Sequence, residues 1–260
     1  MKTVLTIAGS DPSGGAGIQA DLKTMEAHGV YGMSVITALT AQNTMGVSGK
    51  LPIPADFVRA QLRSVYEDIF PDGVKIGMLP DQMIMRAVKD TLLSYEHKNI
   101  VLDPVLGSTS GTAFSSYESR EYLMRELFPV CTLITPNVPE AEILAGRKIN
   151  SETVLENAAK ALGDAYGCSV LIKGGHFTAN EGFSDDCLYH NGAFEWISAQ
   201  RIDNPNTHGT GCTLSSAIAC NLALGFELTD AVKRAKQYLT GCIEKRLDLG
   251  KGRGPLEHRV

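Results

Sequence analysis

The chain has 260 residues, of which 43% are hydrophobic and 20% charged, and its formal net charge is −5. That length supports a sizeable core, and one α/β domain of this size is ordinary. Charges of both signs are mixed along the chain with no basic run, which excludes nucleic acid as a partner, and no apolar run is long enough to span a membrane.

A short apolar strand is predicted over 2–8, directly after Met1 and with no secretion signal before it; 9–17 is a glycine-rich turn and 18–28 a helix. A second strand covers 33–39, and a helix over 54–69 sets Val58, Leu62, Val65 and Ile69 on one face. Strands follow at 74–78 and 100–103, separated by a helix over 81–94, and the next helix covers 117–128. A strand at 132–135, helices over 137–145 and 151–166, and a strand at 170–173 continue the alternation. Strands 187–190 and 195–199 flank Asn191-Gly192, a hairpin signal, and helices over 211–224 and 229–246 complete the pattern.

Continuous apolar strands alternating with helices predict a mostly parallel sheet covered on both faces, with an antiparallel edge hairpin. No repeat, low-complexity stretch or linker divides the chain, so residues 1–260 read as one domain. The six cysteines (131, 168, 187, 212, 220 and 242) show no CxxC spacing and read as mostly buried reduced thiols, which places the chain in the cytoplasm.

In open α/β sheets, ligands bind beyond the carboxyl ends of the strands. Ser10-Asp11, Gln42-Asn43, Asp103, Asn137 with Glu140, and Lys173 all fall at such ends. The turn at 9–17 lacks the GxxxxGK[ST] pattern of a P-loop and serves as a tight turn or as a polar floor for a small substrate. Asp21 reads as a surface or capping carboxylate unless it faces that pocket. The side-chain amides of Gln42-Asn43 suit a ring bearing nitrogen and amino groups, and equally suit a turn. Asp103 is either a magnesium ligand or a cap. Glu140 lies three residues after Asn137, which is capping-box spacing, and its functional alternative is a magnesium–phosphate relay. Lys173 precedes Gly174-Gly175-His176 and can reach phosphate oxygens or simply be solvated; His176 reads as a turn or partner-binding residue.

The most telling segment is Asn206-Thr207-His208-Gly209-Thr210-Gly211-Cys212-Thr213, which runs into a helix. A helix start presents free N–H groups and partial positive charge, so Gly209, Gly211 and Cys212 can form an anion hole for a transferring phosphoryl group, and the helix start tends to lower the thiol pKa. The competing reading is a thiol nucleophile with His208 as base, although nothing in the sequence orients that histidine. Together these pieces describe a small-molecule kinase without a P-loop, in which several groups share the cancellation of phosphoryl charge.

The run Ala8-Gly9-Ser10-Asp11-Pro12-Ser13-Gly14-Gly15-Ala16-Gly17 closely resembles the start of the hydroxymethylpyrimidine/phosphomethylpyrimidine kinases of thiamine biosynthesis, in the ribokinase-like superfamily. Thr40-Ala41-Gln42-Asn43-Thr44, Lys75-Ile76-Gly77-Met78-Leu79, Lys173-Gly174-Gly175-His176, the 206–213 segment and Gly250-Lys251-Gly252-Arg253-Gly254-Pro255 match in the same order. The resemblance implies a three-layer α/β/α fold and two successive transfers from ATP to a pyrimidine alcohol, and then to its monophosphate. It also implies a homodimer. By matching positions, Gln42 binds the pyrimidine edge, and Gly9, Asp21 and Met78 line the pocket. Asp103 and Glu140 serve Mg²⁺, Lys173 serves the ATP phosphates, and Gly209 and Gly211 form the anion hole. Cys212 activates the substrate hydroxyl, where sugar kinases of the wider superfamily carry an aspartate base.

One stretch departs from the family pattern: Leu106-Gly107-Ser108-Thr109-Ser110-Gly111 replaces a Met followed by a Lys-Ser-Gly-like sequence, on the closing side of the pocket. Among the alternatives, a pyridoxal kinase uses the same scaffold, but Gln42 and the lack of a second cysteine near 108–110 favour the pyrimidine. A non-catalytic pyrimidine sensor has no use for Asp103, Glu140, Lys173 and Cys212 together. A thiol hydrolase ranks last.

Overall fold

A computed structural model describes residues 1–107, 116–175 and 182–260. The expectations for His176 and for Ser108 to Gly111 lie outside these residues. The strands are β1 (Thr3–Ser10), β2 (Tyr31–Asn43), β3 (Gly46–Pro52), β4 (Gly73–Ile76), β5 (Ile100–Leu102), β6 (Leu133–Ile134), β7 (Ser169–Lys173), β8 (Phe183–His190) and β9 (Ala193–Gln200). The helices are α1 (Gly17–Ala27), α2 (Ala55–Tyr66), α3 (Gln82–Ser94), α4 (Tyr117–Tyr122), α5 (Val138–Ala145), α6 (Glu152–Tyr166), α7 (Thr210–Ala223) and α8 (Leu228–Glu244).

All nine strands form one sheet in the order β3-β2-β1-β4-β5-β6-β7-β8-β9. The six central strands β2, β1, β4, β5, β6 and β7 pair in parallel, while β3, β8 and β9 run antiparallel to their neighbours. The late hairpin at 187–199 is present, and a second one, not expected from the sequence, closes the opposite edge. There β2 runs on to Asn43 and turns back as β3, so Gln42-Asn43 lies within a strand rather than in a turn after one. Glycines at 46 and 49 and the proline at 52 hide this strand from a pattern search. The helix expected over 117–128 is also broken: α4 passes into a π-helical turn at Leu123–Leu127 and a 3₁₀ turn containing Pro129.

Period-two alternation splits the apolar strands between two cores. Leu5, Ile7, Ile100, Leu102, Ile134, Val170 and Ile172 face the layer of α2, α3, α5 and α6. Val4, Val101, Leu133, Leu171 and Leu188 face the layer of α1, α7 and α8. Both faces being covered explains why the strands read as unbroken hydrophobic runs. The result is the three-layer α/β/α sandwich.

From β1 the chain passes through α1 to β2 on one side, and the later connection from β3 through α2 brings β4 in on the other side of β1. This makes a switch point at the carboxyl ends of β1 and β4. Late residues seal that end of the sheet. The amides of Lys251 and Gly252 donate to Thr44 Oγ1, and the amide of Arg253 donates to the Thr44 carbonyl. The His208 amide donates to the Gly254 carbonyl.

Away from that end, Tyr66, Phe70, Tyr95 and His97 pack as an aromatic cluster. Neither His97 ring nitrogen finds a hydrogen-bond partner among the described residues. Burial pushes His97 down to about 4, against the opposing pull of Asp72. A histidine with a depressed folded pKa is protonated first in the unfolded chain, so stability is lost as pH falls from about 6.5 towards 4. Urea titrations of wild type and His97→Phe across this window are expected to diverge in favour of the variant as pH drops. A pH-independent difference between them removes His97 from the acid response.

Candidate active site

The glycine turn after β1 and the loop entering α7 meet back to back. Gly209, the N-cap of α7, has φ +87°, and a Cβ there would lie 1.9 Å from the Gly15 carbonyl oxygen, so this crossing admits only glycine. Asp11 binds the turn together: Oδ1 accepts from the Ser13 amide at 2.9 Å and its hydroxyl at 2.7 Å, while Oδ2 accepts from the Ala16 amide at 2.9 Å. His208 Nε2 donates to the same Oδ2 at 2.8 Å across the crossing. Burial would raise the Asp11 carboxyl, but the hydrogen bonds from His208 and Ser13 outweigh it and hold the group at about 2. His208 is therefore oriented after all, by a carboxylate that the sequence did not connect to it.

The first turn of α7 reaches the ends of β5 and β7. A Cβ on Gly211 would lie 3.0 Å from Asp103 Oδ2 and 3.5 Å from Lys173 Nζ, so the absence of a side chain lets the helix start, the carboxylate and the ammonium converge. Lys173 Nζ donates to Asp103 Oδ1 at 2.6 Å, and Thr135 Oγ1 donates to the same oxygen at 3.0 Å. Desolvation opposes the Lys173 charge, but Asp103 and Glu140 outweigh it and raise its pKa, so it remains an ammonium. Gly174, the next residue, is fixed through its amide by Asp186 Oδ1 at 3.0 Å, and Asp186 is paired with Lys236 of α8 at 2.7 Å.

Glu140 does what its spacing suggested. Its Oε2 accepts from the Asn137 amide and Asn137 Oδ1 accepts from the Glu140 amide, both at 2.8 Å, completing a capping box on α5. The carboxyl is also buried, and burial, with Asp103 adding and Lys173 opposing, lifts it to about 7. A cap has no need of that environment. A buried carboxyl beside a second one forms a donor set suited to a divalent cation, because Mg²⁺ takes one or two carboxylates and completes its shell with water and phosphate oxygens. Among the described residues no three His, Cys, Asp or Glu side chains gather into an all-protein cage.

Asp21 sits neither at the surface, nor at a cap, nor in an open pocket. It is fully buried, with Oδ1 and Oδ2 accepting from Lys75 Nζ at 3.0 and 2.8 Å, Oδ2 from Thr6 Oγ1 at 2.6 Å, and Oδ1 from Ser216 Oγ at 2.8 Å. The reason is Lys75, itself without solvent exposure in the middle of β4, which must have a counter-charge. The sequence reading gave Lys75 no role, although a lysine between Val74 and Ile76 in an apolar strand signals a hidden partner.

Cys212 lies close enough to this pair to sense it. Burial pushes its thiol up to about 11; Lys75 pulls it down, and Asp21 and Asp103 push it further up. The lowering expected from the helix start is thus outweighed. Gly9 and Met78 are brought together, since a Cβ on Gly9 would lie 2.5 Å from the Met78 methyl carbon. Gln42 stands half-buried at the end of β2, with its amide nitrogen 3.2 Å from His208 Nε2.

Comparison with known proteins gives these elements a common setting. The model of the phosphomethylpyrimidine kinase family matches residues 11–257. A hydroxymethylpyrimidine/phosphomethylpyrimidine kinase of Streptomyces coelicolor is 47% identical over 256 residues, covering 98% of this chain and 93% of that protein. The thiamine biosynthesis bifunctional protein ThiED of Geobacter sulfurreducens is also 47% identical over 256 residues; the match takes in 98% of this chain but only 52% of that longer protein. Among solved structures, an ADP complex of Bacillus subtilis pyridoxal kinase aligns with a TM-score of 0.90 and 37% identity, over 99% of this chain and 97% of the other.

The buried pair yields a stability test. Lys75→Met leaves the Asp21 carboxylate with hydroxyl partners only and is expected to cost about 3–5 kcal/mol in urea unfolding. Lys75→Met combined with Asp21→Asn should recover most of that loss. A double variant as unstable as the single one would show that the pair does not act as a charge couple.

Proposed function

The chain belongs to the phosphomethylpyrimidine kinase family, and from that premise we propose that it transfers phosphate from ATP to 4-amino-5-hydroxymethyl-2-methylpyrimidine and then to the resulting monophosphate, in thiamine biosynthesis. The observation that carries the reading is the meeting of the α7 start with Asp103 and Lys173 at Gly211. It gathers N–H donors, an ammonium and a carboxylate where a phosphoryl group would need all three. In this reading the Gly209–Gly211 amides and Lys173 hold the moving group, and Gln42 takes the pyrimidine edge. Gly9 and Met78 line the ring site, and Asp21 acts from beneath it through Lys75.

Asp103 and Glu140 would hold Mg²⁺, which when bound neutralises charge on the ATP oxygens. Its arrival would favour the ionised form of Glu140. A cytoplasmic homodimer built from one domain over residues 1–260 accompanies the same reading.

Cys212, with its thiol at about 11, is largely protonated at neutral pH. It therefore orients the hydroxyl instead of removing its proton beforehand. The alcohol oxygen bonds to phosphorus as the bond to ADP breaks, and the proton leaves late, onto a phosphate oxygen. A loose transfer makes little demand for an ionised nucleophile.

A pyridoxal kinase reading has one observation in its favour, the close fit to the Bacillus subtilis enzyme. Purified protein with MgATP, offered the pyrimidine alcohol, its monophosphate, pyridoxal and ribose, is expected to release ADP fastest with the two pyrimidines. Faster release with pyridoxal overturns the first reading. Cys212→Ala is expected to lower kcat about a hundredfold with little change in KM for ATP; undiminished kcat would remove Cys212 from the reaction. Gln42→Ala should weaken the pyrimidine and leave ATP binding intact, as titration calorimetry with each ligand would report.

A further inference from the structure

The neighbours of Gln42 fix more than its position. His208 Nε2 approaches Asp11 Oδ2 at 2.8 Å and Gln42 Nε2 at 3.2 Å. An ionised carboxylate only accepts, so the proton on His208 Nε2 faces Asp11. With that proton in place, an amide NH₂ from Gln42 would set donor against donor. On the other side, Thr40 Oγ1 lies 2.9 Å from the Ser10 carbonyl and 3.3 Å from Gln42 Oε1. Thr40 has one hydroxyl proton, and the shorter contact with an acceptor-only carbonyl takes it.

Both conflicts vanish when the amide is turned over, an exchange of O and N that leaves the heavy atoms almost where they are. Oε1 then shares the single His208 Nε2 proton with Asp11 as the longer arm of a bifurcated bond, and the NH₂ donates to Thr40. The amide keeps one acceptor lone pair and one N–H. This is the donor–acceptor pair complementary to an exocyclic amine beside a ring nitrogen, as when glutamine reads adenine.

The histidine that sets this orientation is itself immobilised. A Cβ on Gly15 would fall 2.4 Å from its Cδ2, its amide is bonded to the Gly254 carbonyl, and Asp11 is held by the turn around it. We propose that Asp11 and His208 are positioning residues that lock the Gln42 amide in one orientation, and that this lock selects an aminopyrimidine over rings lacking the amine. The inference rests on Gln42 holding the substrate ring, as in the proposed function.

The test compares binding of the aminopyrimidine alcohol with that of its desamino analogue, by calorimetry, in wild type and two variants. His208→Ala frees the amide to rotate and should weaken the aminopyrimidine alcohol about tenfold while the analogue changes less than about twofold. His208→Gln, whose NH₂ can donate to both Asp11 and Oε1, should restore most of the discrimination. KM for ATP should stay near wild type, while loss of the buried bond to Asp11 lowers the melting temperature of His208→Ala and His208→Gln recovers it. Equal weakening of both ligands, undiminished discrimination in His208→Ala, or a His208→Gln variant no better than alanine overturns the lock while leaving the proposed function standing. A wild type that binds neither pyrimidine overturns both.

Discussion

A charge sealed from water has to be met by another, and in this chain that requirement organises the site. Lys75 in β4 and Asp21 in α1 satisfy each other without solvent, and Asp21 recruits Thr6 of β1 and Ser216 of α7. Four elements from distant parts of the sequence are thus referenced to one carboxylate. The start of α7 sits less than two turns from Ser216, so its height above the sheet follows from that anchor. A well-packed apolar quartet could be as stable. It would not fix the rotation of α7 about its axis in the way directional hydrogen bonds do.

A second layer of charge sits above the first. Lys173 and Asp103 are already paired, and Glu140 is held close to neutrality beside them. Such a cluster is preorganised rather than relaxed: in the proposed reading a polyanion and its counter-ion would meet partners whose positions are set by Thr135, by the α5 capping box and by the Asp186 bond to Gly174. Electrostatic stabilisation is strongest when the dipoles need not reorganise during the reaction. The support for Gly174 runs on to Lys236 in α8, so the far helix contributes to the rigidity of the β7 end.

Much of this was legible in the residues. Apolar runs alternating with helical spacings gave the parallel centre of the sheet, and the strand ends carried Asp103, Lys173 and Gln42 as expected. The α7 start was visible in its glycines and hydroxyl residues. What stayed hidden was pairing across long stretches of sequence. β3 has too much glycine and proline to look like a strand, and it forms because β2 continues far enough to template it. Asp21 looked like a surface carboxylate because its partner is 54 residues away, and His208 looked unsupported because Asp11 is 197 residues before it. The helix start at Cys212 predicts a lowered thiol pKa, and the thiol is instead raised. Burial, which no local pattern reports, outweighs the helix start.

The contacts made by residues 251–254 bear on how the site comes into being during synthesis. Thr44 and His208 acquire backbone partners from a segment that leaves the ribosome after every other contributor to the pocket. A nascent chain can pair its central strands early, yet the side around Thr44 and His208 stays open until this strap arrives. Premature termination just before Lys251 would release a chain with nearly all of its core and an unfinished mouth. For such a product, soluble accumulation and competence are separate properties.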